Sequence, residues 1–136
     1  MSGQTAKIAS LCQCGSAAVR QVNQFINHGE LWWDAEFSCD NCGTYLCEQA
    51  GPGTAPDDVR EALLAAHGPA RLRLAEPVSS PVPVLKVLRE VSAVSLSQAR
   101  ELVEKLSHDG VVGTLSEMEL LKARLQLRGV PVDIDS

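Results

Sequence analysis

"FSCDNCGTYLCEQ", residues 37–49, holds Cys39, Cys42 and Cys47, with Cys39 and Cys42 spaced C-x-x-C and followed at once by Gly43. Upstream, "LCQCGS" at residues 11–16 supplies Cys12 and Cys14, again followed by a glycine, Gly15. A glycine in that place fits a tight turn with positive φ, in which backbone amides point back at the sulfurs. A tetrahedral zinc ion takes four soft or borderline donors, and two short cysteine turns facing each other provide them. The 24 residues from Gly15 to Ser38 suit a β-rich spacer, and the whole is the pattern of a zinc ribbon.

The spacer supports that reading. "ELWWDAEFS" (residues 30–38) alternates, with Leu31, Trp33, Ala35 and Phe37 on one side and Trp32, Asp34, Glu36 and Ser38 on the other. That is the period of a half-buried strand. "AAVRQVNQFI" (17–26) reads as its partner, and "NHG" (27–29) as the turn, with Gly29 left-handed. The resulting β-hairpin brings Cys12 and Cys14 beside Cys39 and Cys42, the expected ligands of one structural Zn2+. So short a ribbon depends on its metal for much of its stability.

Two other readings of the cysteines stay open at this point. A C-x-x-C pair can lower a thiol pKa and serve as a redox centre. That motif usually opens a helix in a βαβ unit, whereas Cys39 and Cys42 follow a strand. A disulfide pair is the other reading, opposed by the odd count of five cysteines and by "MSGQTAKIAS", which lacks the apolar segment of a signal peptide. Cys47 is expected to be a small buried side chain rather than a substitute ligand. His28 is expected to be exposed at the turn tip.

The chain has 136 residues and a formal net charge of −5. Up to Gly53 it carries 2 basic and 5 acidic residues, and beyond it 10 and 12. Neither part has the basic excess that sequence-independent nucleic-acid binding demands, so a nucleic-acid partner is not expected. No apolar run reaches membrane-spanning length, and the expected location is cytoplasmic.

"GPGTAPDDVREALLAAHGPA" (51–70) reads as a linker followed by a helix. Thr54 and Asp57 form a capping box there, Pro56 suits the first turn, and Gly68 with Pro69 stops the helix. "RLRLAEP" (71–77) is a short strand and "EPVSSPVP" (76–83) a proline-rich loop. Val84, Leu85, Val87, Leu88 and Val91 then form one helical face. A second helix follows a Ser95–Gln98 capping box, its stripe formed by Ala99, Leu102, Val103 and Leu106. A third follows a Ser116–Glu119 box and ends at Gly129. "DGVVGT" is a short middle strand or turn, and "VPVDIDS" the closing strand. The expected class is α+β, helices on one face of a small sheet. The expected division is a zinc ribbon at 1–53, a linker helix at 54–70 and the second domain at 71–136.

"VLKVLREVSAVSLSQARELVEKL" followed by "GTLSEMELLKARLQLRGVPVDI" resembles the C-terminal domain of the bacterial ribosomal stalk protein, over about Arg71 to Ile134. The shared features are the K-x-x-R helix, the "LSQARELVE" helix and a last helix ending in glycine before a short acidic strand. The resemblance implies a compact α+β domain whose basic helix-pair face recruits translational GTPase factors. It also implies that Lys86, Arg89 and Arg100 match the basic residues that touch those factors. This chain departs from the family in having "SAVS" where the family has glycines between the first two helices. A zinc ribbon also stands in place of the dimerisation segment and hinge.

Together these features lead to the expectation of a non-catalytic zinc-binding adaptor that binds another protein, a translation factor or ribosome component. Lys86, Arg89, Arg100 and Trp32 are its candidate partner-binding residues. An immunity protein neutralising a toxin domain and a thiol redox enzyme using Cys39 and Cys42 are the alternatives. No catalytic set is visible, because His28, His67 and His108 fall in a turn, a helix end and a loop.

Overall fold

The computed structural model describes residues 3–135, except the side chain of Gln49. The chain divides into two compact units, Met1–Gly68 and Pro69–Ser136.

Unit 1 is a β-meander with one helix. Strands β1 (Gly3–Leu11), β2 (Ala17–Asn27), β3 (Glu30–Ser38) and β4 (Tyr45–Pro52) lie side by side in chain order, all antiparallel. The expected two-stranded hairpin is thus the centre of a four-stranded sheet. Its turn runs through His28 (φ +52°) and Gly29 (φ +76°), the left-handed pair that matches strand twist in a two-residue hairpin loop. Ala6, Val22 and Ala35 stand in register across three strands, and Trp33 lies beside them.

Helix α1 (Asp57–His67) covers that row, burying Val59 and Leu63 completely. Each such side chain contributes about 1.5–3 kcal/mol of hydrophobic stabilisation. The helix expected within the linker-helix segment 54–70 is present as α1, and it packs on the sheet of unit 1. The expected Thr54–Asp57 capping box does not form: Pro56 is the N-cap, with no side-chain hydrogen bond. Asp57 and Asp58 in the first turn complement the helix dipole instead. At the other end the His67 ring Nε2 lies 2.7 Å from the Thr5 carbonyl of β1.

Unit 2 consists of β5 (Ala70–Leu74), α2 (Val82–Ser92), α3 (Leu96–Ser107), β6 (Val111–Gly113), α4 (Leu115–Leu127) and β7 (Val132–Asp135). This is the element order expected from the sequence. Its sheet has the order β6-β5-β7, antiparallel throughout. Val84, Val87 and Leu88 of α2, Leu106 of α3 and Leu125 of α4 are buried around Leu72 of β5.

The helix ends follow local chemistry. The Ser95–Gln98 capping box is present with both of its hydrogen bonds. The box that starts α4 is Thr114–Glu117, not Ser116–Glu119, because Thr114 holds the extended conformation of an N-cap (φ −70°, ψ 158°). Gly129 (φ +75°) closes α4, with its amide bonded to the Gln126 carbonyl and that of Val130 to Leu125. Gly110 (φ +94°) is required for space as well as conformation. A Cβ there would sit 2.7 Å from Arg71 Cγ and 2.8 Å from the Leu72 carbonyl oxygen. Between α2 and α3, Ala93 is left-handed (φ +51°) without being glycine.

Among the described residues, no helix is long and apolar enough to cross a membrane.

Candidate metal centre

The two cysteine turns cap the same end of the meander, one joining β1 to β2 and the other β3 to β4. Each closes on itself in the same way. The Cys12 amide donates to the Ser16 carbonyl and the Gly15 amide to the Cys12 carbonyl, both at 2.9 Å. In the second turn the Cys39 amide donates to Thr44 and the Gly43 amide to Cys39, again at 2.9 Å. Gly15 (φ +91°) and Gly43 (φ +76°) take the conformation that lets the chain fold back, as their positions in the sequence imply.

The result is convergence of four sulfurs. Cys12 Sγ lies 3.6 Å from Cys42 Sγ, and Cys14 Sγ 3.7 Å from Cys39 Sγ. All four sulfurs lie within 4.8 Å of one another. A zinc tetrahedron with Zn–S bonds of about 2.3 Å has edges of about 3.75 Å, which the Cys12–Cys42 and Cys14–Cys39 separations match. The first cysteine of each turn is buried, Cys12 at 7% and Cys39 at 2% exposure, and the second is exposed. C-x-C in one turn and C-x-x-C in the other thus serve equally.

Outer groups orient the sulfurs. Asn41 Nδ2 donates to Cys14 Sγ at 3.7 Å, and Thr44 Oγ1 lies 2.9 Å from Cys42 Sγ. The Ser16 amide, with Asn41 and Cys12, holds the Cys14 thiol down to about 6. The Thr44 hydroxyl and amide, with Cys12, lower Cys42. For Cys12 the Cys14 amide also favours the thiolate, but desolvation and the neighbouring sulfurs outweigh it and push the thiol up to about 12. A divalent cation among sulfurs packed this closely would relieve the repulsion between neighbouring thiolates.

Among the described residues, no other group of three or more His, Cys, Asp or Glu side chains converges in this way. Four cysteine sulfurs so arranged are compatible with holding one metal ion such as zinc. Cys47, expected to be buried, is exposed on β4 opposite Glu36. It lies on an edge strand whose described side chains have no core to enter. His28 is exposed, as expected.

The expected partner-binding residues are divided between the two units. Lys86 and Arg89 on α2 and Arg100 on α3 are exposed, and none pairs with a carboxylate among the described residues. Glu90 on the same helix as Lys86 and Arg89 pairs with Arg128 at 2.9 Å and Arg124 at 3.9 Å. Arg100 shares a shallow depression on α3 with Leu96, Ser97, Glu101 and Glu104. Trp32 belongs to unit 1, half-buried on β3 in register with Phe25 and Pro52.

Two features went unseen in the sequence. Arg20 bridges Glu48 of β4 and Asp58 of α1, both at 2.8 Å. Its signal was available, because Arg20 shares strand parity with the buried Val22. The second is a cleft of about 400 Å3 beside the sulfurs, formed by Leu11, Phe37, Leu46 and Glu48 around Cys12, Cys14 and Cys42. It depends on β4, which the sequence reading did not recognise.

No model of a known protein family matches this chain, and neither does any curated protein.

Proposed function

We propose that this protein is a non-catalytic, zinc-binding adaptor, in which an ion held by four cysteines makes unit 1 a rigid platform for binding another protein. The observation that carries this reading is the closed set of four sulfurs at tetrahedral spacing. The ion would be held by Cys12, Cys14, Cys39 and Cys42. When bound, it supplies cross-linking of two turns and no Lewis-acid chemistry on a substrate. The position of Cys39 and Cys42 in a strand-to-strand turn, with Cys39 buried against Ala18 and Phe37, is a poor setting for a redox pair that must present a thiolate to a substrate disulfide. In unit 2, the exposed Lys86, Arg89 and Arg100 leave a cationic helix pair free for an acidic partner surface, and a translation factor is the partner class this reading favours.

Metal analysis and thiol counting test the proposal together. The expected result is one zinc per chain, one thiol (Cys47) reactive before chelation, and five after it. Absence of zinc from protein purified without chelator refutes it, as does disulfide reductase activity that disappears in Cys39→Ser.

A further inference from the structure

The cleft beside the cysteines is open, and its apolar walls are exposed. Leu11 is 73% exposed and Leu46 is 55% exposed, with Phe37 half-buried between the turns. Tyr45, at 59%, stands next to Leu46 on the same edge strand. A volume of about 400 Å3 is at the small end of the range of roughly 300–1,000 Å3 typical of ligand sites. It accommodates one or two apolar side chains rather than a large cofactor.

Charge then selects the partner. Unit 1 carries 3 basic against 8 acidic residues, a net −5, whereas unit 2 carries 9 of each. The whole formal charge of the chain thus resides in the unit that bears the cleft. Arg20, which touches Glu48 of the cleft wall, is already held between Glu48 and Asp58. Four thiolates around Zn2+ add a formal charge of about −2 at the same end. Anionic polymers and anionic lipid surfaces are repelled by such a field, and basic segments are drawn to it.

We infer that this cleft is a docking site for a basic protein segment, which inserts an apolar side chain between Leu11, Phe37 and Leu46 while flanking lysines or arginines face the net-acidic surface of unit 1. This inference rests on the platform reading of unit 1 and gives that platform a place and a partner chemistry. The apolar anchor supplies a buried centre and the surrounding charge supplies rate and selectivity.

The test pans a random peptide library displayed on phage against the zinc-loaded full chain, in parallel with a Leu11→Ser/Leu46→Ser variant. Both side chains are exposed, so the variant is expected to keep its zinc and its unfolding temperature, which are measured on the same samples. The expected result is enrichment of peptides with Lys or Arg on both sides of a Leu, Ile, Met or Phe. Their retention should fall about tenfold or more on the variant and weaken as salt rises. Peptides without basic bias, binding equal on the variant, or no enrichment at all overturn the inference. Preferential binding of single-stranded nucleic acid or anionic vesicles overturns it equally. Zinc content separates the two levels: a zinc-loaded protein that selects no basic peptide refutes the docking site alone, and a protein without zinc refutes the platform.

Discussion

Stripping the metal, by chelation or by Cys39→Ser, is expected to destabilise unit 1 at one end without dissolving it. The apolar groups nearest the sulfurs form a cluster of only Cys12, Ala18 and Cys39, with Phe37 packed against them. The larger core of Val22, Trp33, Val59 and Leu63 under α1 is a separate cluster that needs no metal. With free zinc about 1,000-fold above its dissociation constant, binding contributes about 4 kcal/mol. For a unit of this size each kcal/mol moves the midpoint by roughly 4–8 °C, so the loss amounts to roughly 16–32 °C. The assay is built into the sequence. Phe25, Trp32, Trp33, Phe37 and Tyr45, the aromatic residues of the chain, all lie in unit 1, so intrinsic fluorescence follows that unit alone. Far-ultraviolet circular dichroism follows mainly unit 2, which holds α2, α3 and α4 with 11, 12 and 13 residues against 11 in α1. The fluorescence midpoint should fall while the dichroism transition persists. A tryptophan midpoint unmoved after elemental analysis shows the metal gone refutes the reasoning.

Other substitutions probe the backbone and the charges. Ala93→Gly should raise the stability of unit 2 by about 0.5–1 kcal/mol in a urea titration followed by dichroism, since a left-handed alanine is strained where glycine is not. Gly110→Ala should cost more than about 2 kcal/mol in the same titration, because its new methyl meets the Leu72 backbone as well as a positive φ. Arg20→Met should cost unit 1 about 0.5–1 kcal/mol at neutral pH, a figure kept small by the exposure of Asp58. Arg20 holds Asp58 below its ordinary value of 3.8, so that contribution is complete above 3.8 and is lost as pH falls below it. Wild type and variant should therefore converge in acid, read by fluorescence-monitored unfolding at pH 7 and pH 3.

The sulfur site was legible because its signal is local: two pairs, each with a glycine that really does take positive φ. The middle strands were legible because Trp33 and Ala35 are buried on one parity, as alternation implies. The outer strands were not, for the converse reason. β1 fully buries only Ala6 and turns the mixed set Gln4, Ile8 and Ser10 inward with it, and the described side chains of β4 from Tyr45 to Glu48 are all exposed, so neither shows a clean apolar alternation in sequence. Those strands exist because β2 and β3 offer ladders to pair with, which is a long-range fact. The start of α4 shows a different limit. "TLSEME" contains two overlapping boxes, Thr114–Glu117 and Ser116–Glu119, and local pattern cannot choose between them. The fold chooses, by placing Thr114 directly after β6 and burying Ser116 completely within the first turn. The helix at 57–67 was visible as a helix, but its role as the lid of the sheet required knowing what it covers.

The pairing order of the strands also sets an order of assembly during synthesis. Every ladder of the meander joins neighbours in the chain, so its three hairpins can zip up one after another as residues leave the ribosome. β5 is different: Arg71 pairs with Asp135 and Leu74 with Val132, partners made roughly sixty residues later. Until Val132–Asp135 emerge, Leu72 has no completed sheet around it, and a nascent chain halted just before them would hold a finished first unit and a sticky, unfinished second one.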